Sequence, residues 1–235
     1  PDAARRLSEK SVEEARRLAH PTSQCFAHSI ASRVYYLLRD SKALAYHSAM
    51  VTQLADQHGL SLWQALGRIY VGWSRSETDL GEGLSMICDG LARYRAAGAA
   101  LCLPLYLSSL ASVEAAGGNQ LVALELLDEA RAASTNGDEH WVSAEIHRLT
   151  GEAMLARNGD RAGAEREFRA ALVLAREQGA KLWELRAATS LARLSGKGGK
   201  ARSARDDLAM VYGFFTEGFT DLDLEEAKAA LDALS

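Results

Sequence analysis

Glycine recurs at Gly59, Gly98, Gly137 and Gly179, at intervals of 39, 39 and 42 residues. Each one closes a long Ala/Leu-rich stretch: LADQHG, YRAAG, ASTNG and AREQG. A glycine there supplies the left-handed residue that ends a helix without a Cβ penalty. Trp63, Trp141 and Trp183 each follow one of these glycines by four residues. A chain written in units of about forty residues builds its core by stacking neighbouring units. Helices are the expected elements, because Pro occurs only three times and the stretches between turns are rich in Ala, Leu, Arg and Glu.

A second pattern recurs inside the units. Gly118, Ala123, Leu127 and Ala130 are spaced five, four and three residues apart, as are Gly159, Ala164, Phe168 and Ala171, and Gly199, Ala204, Leu208 and Val211. Thr78, Gly83, Ile87 and Gly90 follow the same spacing more loosely. Two antiparallel helices in close contact explain it. The first glycine makes the turn, and the small residue five later lets the second helix approach, since axes come near only where side chains are short. The larger residue fills the space between the helices, and the last packs on the next pair. This order resembles the tetratricopeptide repeat, although the units exceed its usual thirty-four residues by roughly five; HEAT-type repeats have a closer period but lack this pattern as a hallmark.

The expected fold is therefore all-α, a right-handed tetratricopeptide-like solenoid of five to six antiparallel helix pairs forming one domain over residues 1–235. Helices are expected near 3–19, 23–39, 42–58, 62–76, 80–97, 101–116, 120–136, 140–157, 161–178, 181–195, 200–213 and 223–234. Ser61-Leu-Trp-Gln64 and Asp223-Leu-Glu-Glu226 look like capping boxes. The helix at 80–97 carries Gly81, Gly83 and Gly90 and should be the least stable by itself. Residues 1–20 read as the second helix of a truncated repeat, with Ala4, Leu7, Ala15 and Leu18 facing inward and partly bare. Residues 212–235 break the pattern with Tyr212, Phe214, Phe215 and Phe219, which are expected to fold back as a cap.

Five stretches, HGLSLWQALGRIYVGW (58–73), GLARYRAAGAALCLPLYLSSLA (90–111), WVSAEIHRLTGEAML (141–155), AEREFRAALVLAREQGAKLWELRAATSLARL (164–194) and VYGFFTEGFTDLDLEEAKAALDAL (211–234), form an ordered series. They resemble the C-terminal repeat region of large bacterial regulators. Those proteins join a class III adenylate/guanylate cyclase domain or a winged-helix DNA-binding domain to a signalling ATPase and then to tetratricopeptide repeats. The resemblance implies a sensing or partner-binding arm without the cyclase or the nucleotide-binding domain. SGKGGKARS (195–203) departs from the family, which more often has a bulkier connection there.

Composition bounds the function. Lys+Arg 27 against Asp+Glu 31 gives a net charge of −4, without the basic balance expected of a nucleic-acid-binding domain. No run of about eighteen apolar residues suggests a membrane span. Cys25, Cys88 and Cys102 lack metal-ligand spacing and fall in apolar stretches, where burial as small hydrophobes is expected; a reducing cytoplasm is the simple reading. The chain starts at Pro1 without Met or signal peptide, so a piece of a longer protein is expected.

Local chemistry is sparse. Gly196-Lys197-Gly198-Gly199-Lys200 is not a phosphate loop: Ala201 follows where Ser or Thr is needed, and Leu194 stands where the first Gly is needed. It reads as an exposed connection. The histidines at 20, 28, 47, 58, 140 and 147 form no zinc-protease pair, and His58 suits a helix C-terminus. No catalytic residue, cofactor or metal site is expected. Glu145, Arg148 and Glu152 share a helical face, and Glu184, Arg186 and Arg193 recur in the next first helix. The simpler reading is an exposed or semi-buried ion-pair ladder. The functional reading places Arg33, Tyr36, Gln64, Arg68, Glu145, Arg148, Glu152 and Arg186 on a concave partner-binding face. The three tryptophans read as repeat core rather than binding platforms.

The expected function is a non-catalytic interaction or regulatory domain that binds a protein or peptide partner, or other domains of a larger bacterial signalling protein. The alternative is a small-molecule sensor with its ligand on the concave face. Neither nucleic acid nor membrane is an expected partner. A homodimer through the truncated N-terminal repeat is a further possibility.

Overall fold

The computed structural model describes residues 1–196 and 199–234. Among them are twelve α-helices: α1 (Asp2–Leu18), α2 (Pro21–Leu37), α3 (Ser41–His58), α4 (Ser61–Arg75), α5 (Leu80–Ala96), α6 (Leu103–Ala116), α7 (Gln120–Asn136), α8 (Ser143–Asn158), α9 (Arg161–Glu177), α10 (Lys181–Ser195), α11 (Gly199–Tyr212) and α12 (Leu222–Ala233). A short 3-10 turn, His140–Val142, leads into α8. Successive helices pack as antiparallel pairs, the arrangement of a helical repeat. The chain divides into two compact units, Pro1–Leu101 with α1–α5 and Cys102–Ser235 with α6–α12.

Helix starts are fixed by side chains that accept an otherwise unpaired backbone N–H. Asp40 accepts from Ala43 N at 3.0 Å, Asp79 from Glu82 N at 2.9 Å and Asp160 from Gly163 N at 2.8 Å. Neither expected capping box forms. Leu60 precedes α4 without a side-chain cap, and Gln64 turns away to donate to Asp56. Helix α12 begins one residue before Asp223, whose carboxylate faces Arg186 instead. At the ends, Gly159 takes the left-handed conformation at φ 70°, as the repeat pattern requires. Gly137 does not: its φ is −92°, and Asp138 at φ 50° makes the left-handed step. An Asp tolerates that conformation because its short polar side chain can bond locally.

The small position of the repeat works by proximity. In unit 1 a Cβ on Gly83 would stand 2.6 Å from the Ser76 backbone, so α5 can lie against the end of α4 only with glycine there. In unit 2 Ala123, Ala164 and Ala204 hold the same place and are buried. Glycine in α5 thus serves close packing, which offsets the low helix propensity of that segment.

Within unit 2 the even-numbered helices touch one another: α8 packs on α6 and on α10, and α10 packs on α12. No comparable packing joins α7 to α9 or α9 to α11 among the described residues. Close spacing on one side and splaying on the other makes the even row the inner, concave side of this unit. Unit 1 carries the same relation between α2 and α4.

At the ends, the inner face of α1 is Ser8, Val12 and Ala15; Ala4, Leu7 and Leu18 point to solvent, contrary to expectation. At the other end α12 packs on α10 and α11 through Leu224, Ala227 and Ala230. Phe215 packs partly against that core, whereas Phe214 and Phe219 are exposed. No described helix is long and apolar enough to cross a membrane.

Candidate functional site

The eight residues expected on a concave face fall in both units and meet different fates. In unit 1 Tyr36, Gln64 and Arg68 each engage a residue outside the expected set. Arg33 and Tyr36 lie on α2 and are half-buried, and the Tyr36 ring stacks on Trp73 of α4 with centroids 4.1 Å apart. Gln64 Nε2 donates to Asp56 Oδ1 at 2.9 Å, back towards α3. Arg68 pairs with Asp89 of α5, which also receives Arg93 at 2.8 Å. Gln64 and Arg68 therefore brace α4 against odd-numbered helices.

In unit 2 the structure gathers Glu145, Arg148, Glu152 and Arg186 into one network. The guanidinium of Arg148 is bidentate on Glu145, with Nε to Oε2 and Nη2 to Oε1 both 2.7 Å, and it also pairs with Glu152 one turn on. Arg186 crosses from α10 to reach Glu145 Oε1 at 3.2 Å and Asp223 Oδ2 of α12 at 2.7 and 2.9 Å. Ser190 donates to Glu152 Oε1 at 3.1 Å. Three consecutive helices of the inner row are thus joined through charge-assisted hydrogen bonds, the stronger class. The side chains of Arg148 and Arg186 are only 13% and 12% exposed, so the ladder is buried rather than a solvated face. Arg186 also lies over the Trp183 ring at 5.1 Å.

Burial opposes the charge on both arginines. For Arg148, Glu145 and Glu152 outweigh that penalty and hold the guanidinium pKa above its ordinary value. For Arg186, Glu145 and Asp223 do the same. Glu152 differs from its neighbours, because 46% of its side chain remains exposed.

Beside Glu152 lies a cleft of about 230 Å³ between α6, α7 and α8. Its floor is Ala111, Ala123, Leu127 and Ala153, all buried. Gln120 lines it with a shielded Oε1 that has no hydrogen-bond partner, while its Nε2 donates to Ala115 O at 2.9 Å.

Unit 1 holds a polar cluster that the sequence reading missed. His28 and His47 are buried with their Nδ1 atoms 2.9 Å apart, His47 Nε2 lies 3.2 Å from Glu9 Oε1, and Tyr35 donates to the same oxygen at 2.7 Å. An ionised Glu9 only accepts, so His47 carries its proton on Nε2 and its Nδ1 accepts from His28 Nδ1–H. Burial, with His47 and Arg16 nearby, pushes the His28 pKa down to about 4. Burial also lowers His47, against the pull of Glu9. Burial of Glu9 is outweighed by its bonds to Tyr35 and His47, so that carboxyl lies below its usual range. The signal was present: His28, Ser32 and Tyr35 follow helical spacing on the buried face of α2.

Among the described residues no His, Cys, Asp and Glu group could hold a metal ion. Cys25 and Cys102 are buried, but Cys88 is exposed, which corrects the expectation for that residue. Of the tryptophans, Trp183 is buried and donates to Trp141 O at 3.1 Å, Trp63 is half-buried, and Trp141 is 38% exposed. Within the glycine-rich connection, Lys197 and Gly198 lie outside the described residues, and Gly199 opens α11.

The architecture defines an all-helical, repeat-like chain. No family model matches it. It is 30% identical over 184 residues to an uncharacterised protein of Rhizobium meliloti (strain 1021), a match that takes in 76% of this chain and 17% of that protein. The chain thus spans less than a fifth of the length of the curated relative it matches.

Proposed function

We propose that the chain is a non-catalytic, partner-binding arm of a larger bacterial signalling protein, with the inner row of unit 2 as its binding face. The observation that carries this reading is the joining of α8, α10 and α12 by a buried ionic network that leaves Glu152 half in solvent. A row held this way presents its outer charges, Glu152 and the Arg193–Glu226 pair at 3.1 Å, with little rearrangement on binding. A partner polypeptide laid along such a row meets alternating charges, which favour register and selectivity. The much longer relative supports a role inside a multidomain protein. The resemblance of the repeats to those of cyclase- and winged-helix-linked signalling ATPases suggests that the partner is another domain of the parent or a protein that controls it.

The test uses the remaining segments of the parent protein, added in trans. The chain should bind them, and Glu152→Lys combined with Arg193→Glu should weaken binding at least tenfold without changing the helical circular-dichroism signal. Equal affinity, or turnover of a substrate by the isolated chain, contradicts the proposal. A second reading, a small-molecule sensor, is favoured by the Ala-floored cleft beside Glu152.

A further inference from the structure

The cleft beside Glu152 owes its existence to one repeat being shorter in its side chains than the next. Aligning Gly118 with Gly159, a shift of 41 residues, places Gln120 opposite Arg161 and Ala153 opposite Leu194. In the later repeat Leu194 is buried in the core and the Arg161 guanidinium donates to its carbonyl oxygen. In the earlier repeat Ala153 takes the place of that leucine, and about 230 Å³ remains open beside it. The missing leucine leaves room for an aliphatic stem, and the Glu152 carboxylate at the exposed side suits a cationic head on it.

The lining fits such a group. Ala111, Ala123, Leu127 and Ala153 give an apolar floor, which suits an alkyl stem. Ser112, Gln120 and Glu152 supply its polar lining, and the Glu152 carboxylate at the exposed side is the one charge among them. The adjoining network joins three carboxylates (Glu145, Glu152, Asp223) to two guanidiniums (Arg148, Arg186), leaving one net negative charge. Arg148 and Ser190 both engage Oε1 of Glu152.

We propose that this cleft binds an unbranched aliphatic cation, a short alkyl stem carrying a primary ammonium or a guanidinium, with the stem over Ala123 and Ala153 and the head at the Glu152 carboxylate. The volume holds roughly seven water-sized groups, enough for a lysine side chain or a free alkylamine of that length. The inference deepens the reading of Glu152 as a partner contact and does not require the ligand to be a polypeptide.

Three probes test it by methyl-resolved NMR titration of the whole chain: n-pentylammonium, the neutral n-pentanol, and Nα-acetyl-lysine N-methylamide. The expected result is a saturable shift of the Ala123 and Ala153 methyl signals with pentylammonium, at least tenfold tighter than with pentanol. Glu152→Gln should weaken it about tenfold. Ala153→Leu, copying the later repeat, should abolish it; because that substitution enlarges a buried residue, the exposed Glu152→Gln decides if the leucine variant does not fold. Capped lysine binding as well as pentylammonium identifies a polypeptide side chain as the source, and pentylammonium binding alone identifies a free amine; both sustain the proposal. No saturable shift, equal affinity for pentanol, or full affinity in Glu152→Gln overturns it. Should the parent segments bind while all three probes fail, the row is a partner surface without this cleft. Should the probes bind while the segments fail, the cleft stands as a small-molecule site.

Discussion

Between α1, α2 and α3 of unit 1, buried polar atoms belong to His28, His47, Tyr35 and the edge residue Glu9, joined in a chain with one formal charge. Between α8, α10 and α12 of unit 2, the corresponding place is taken by full charges, Glu145 and Asp223 around Arg186, with Arg148 bidentate on Glu145. Both arrangements satisfy hydrogen bonds in a helical seam, but they respond to perturbation differently. A chain built on neutral imidazoles tolerates loss of a link and suffers when forced to take a proton. An ionic network tolerates ordinary pH and suffers when one partner is removed, because the remaining charge is left buried.

The largest expected effect follows from that contrast. Arg186→Met should destabilise unit 2 by about 3–5 kcal/mol, the range for breaking a buried ion pair, as read by denaturant unfolding. A loss under about 1 kcal/mol would show that the network behaves like a surface ladder.

Acid should separate the units next. The His28 pKa in the folded chain is about 4, below the ordinary value of 6.5, so the unfolded chain binds the extra proton between those values. Unit 1 should therefore lose stability as pH falls from 6.5 toward 4, at up to about 1.4 kcal/mol per pH unit for one histidine. Segment-resolved hydrogen exchange at pH 7 and 5 should show α2 and α3 loosening first. In unit 2, bonds from Lys181 and Arg176 outweigh the burial of Glu184, and the His147 hydrogen bond leads in lowering Glu167. Their contribution is present above 4.5 and is lost as pH falls through the lower folded values, so unit 2 should hold at pH 5. Simultaneous loosening would break the comparison, while His28→Leu should flatten the response of unit 1.

A smaller effect is expected from Tyr35→Phe, which removes one hydrogen bond to Glu9 and leaves that half-exposed carboxylate open to water. Its cost should be about 0.5–1.5 kcal/mol by thermal unfolding. Smallest should be Glu13→Ala on α1, where the pairs with Arg16 and Arg17 are exposed; a change below about 0.5 kcal/mol is expected.

Much of this architecture was written locally. Helix positions follow from turn residues and apolar periodicity, and the five-four-three spacing located the seams because Ala123, Ala164 and Ala204 must be small to let helices approach. The candidate site was half legible. Glu145, Arg148 and Glu152 share a face by helical geometry alone, and Arg186 recurs at the matching place one repeat on. Asp223 was read as a cap, since its partner Arg186 is 37 residues away and no local rule connects them. The histidine cluster escaped for the same reason: Glu9, His28 and His47 come from three helices, and only their packing turns three scattered residues into a chain. The unit 1 half of the expected face dispersed because Gln64 and Arg68 found acidic partners on α3 and α5.

The central claim is that the charges of the inner row act as one network through Arg186. A double-mutant cycle with Glu145→Gln and Asp223→Asn tests it most directly, because these carboxylates lie on opposite sides of the same guanidinium. A shared network predicts that the double variant loses at least about 1 kcal/mol more than the two single variants summed, since Arg186 then loses both partners. Additivity within about 0.5 kcal/mol would mean independent contacts and would contradict the account.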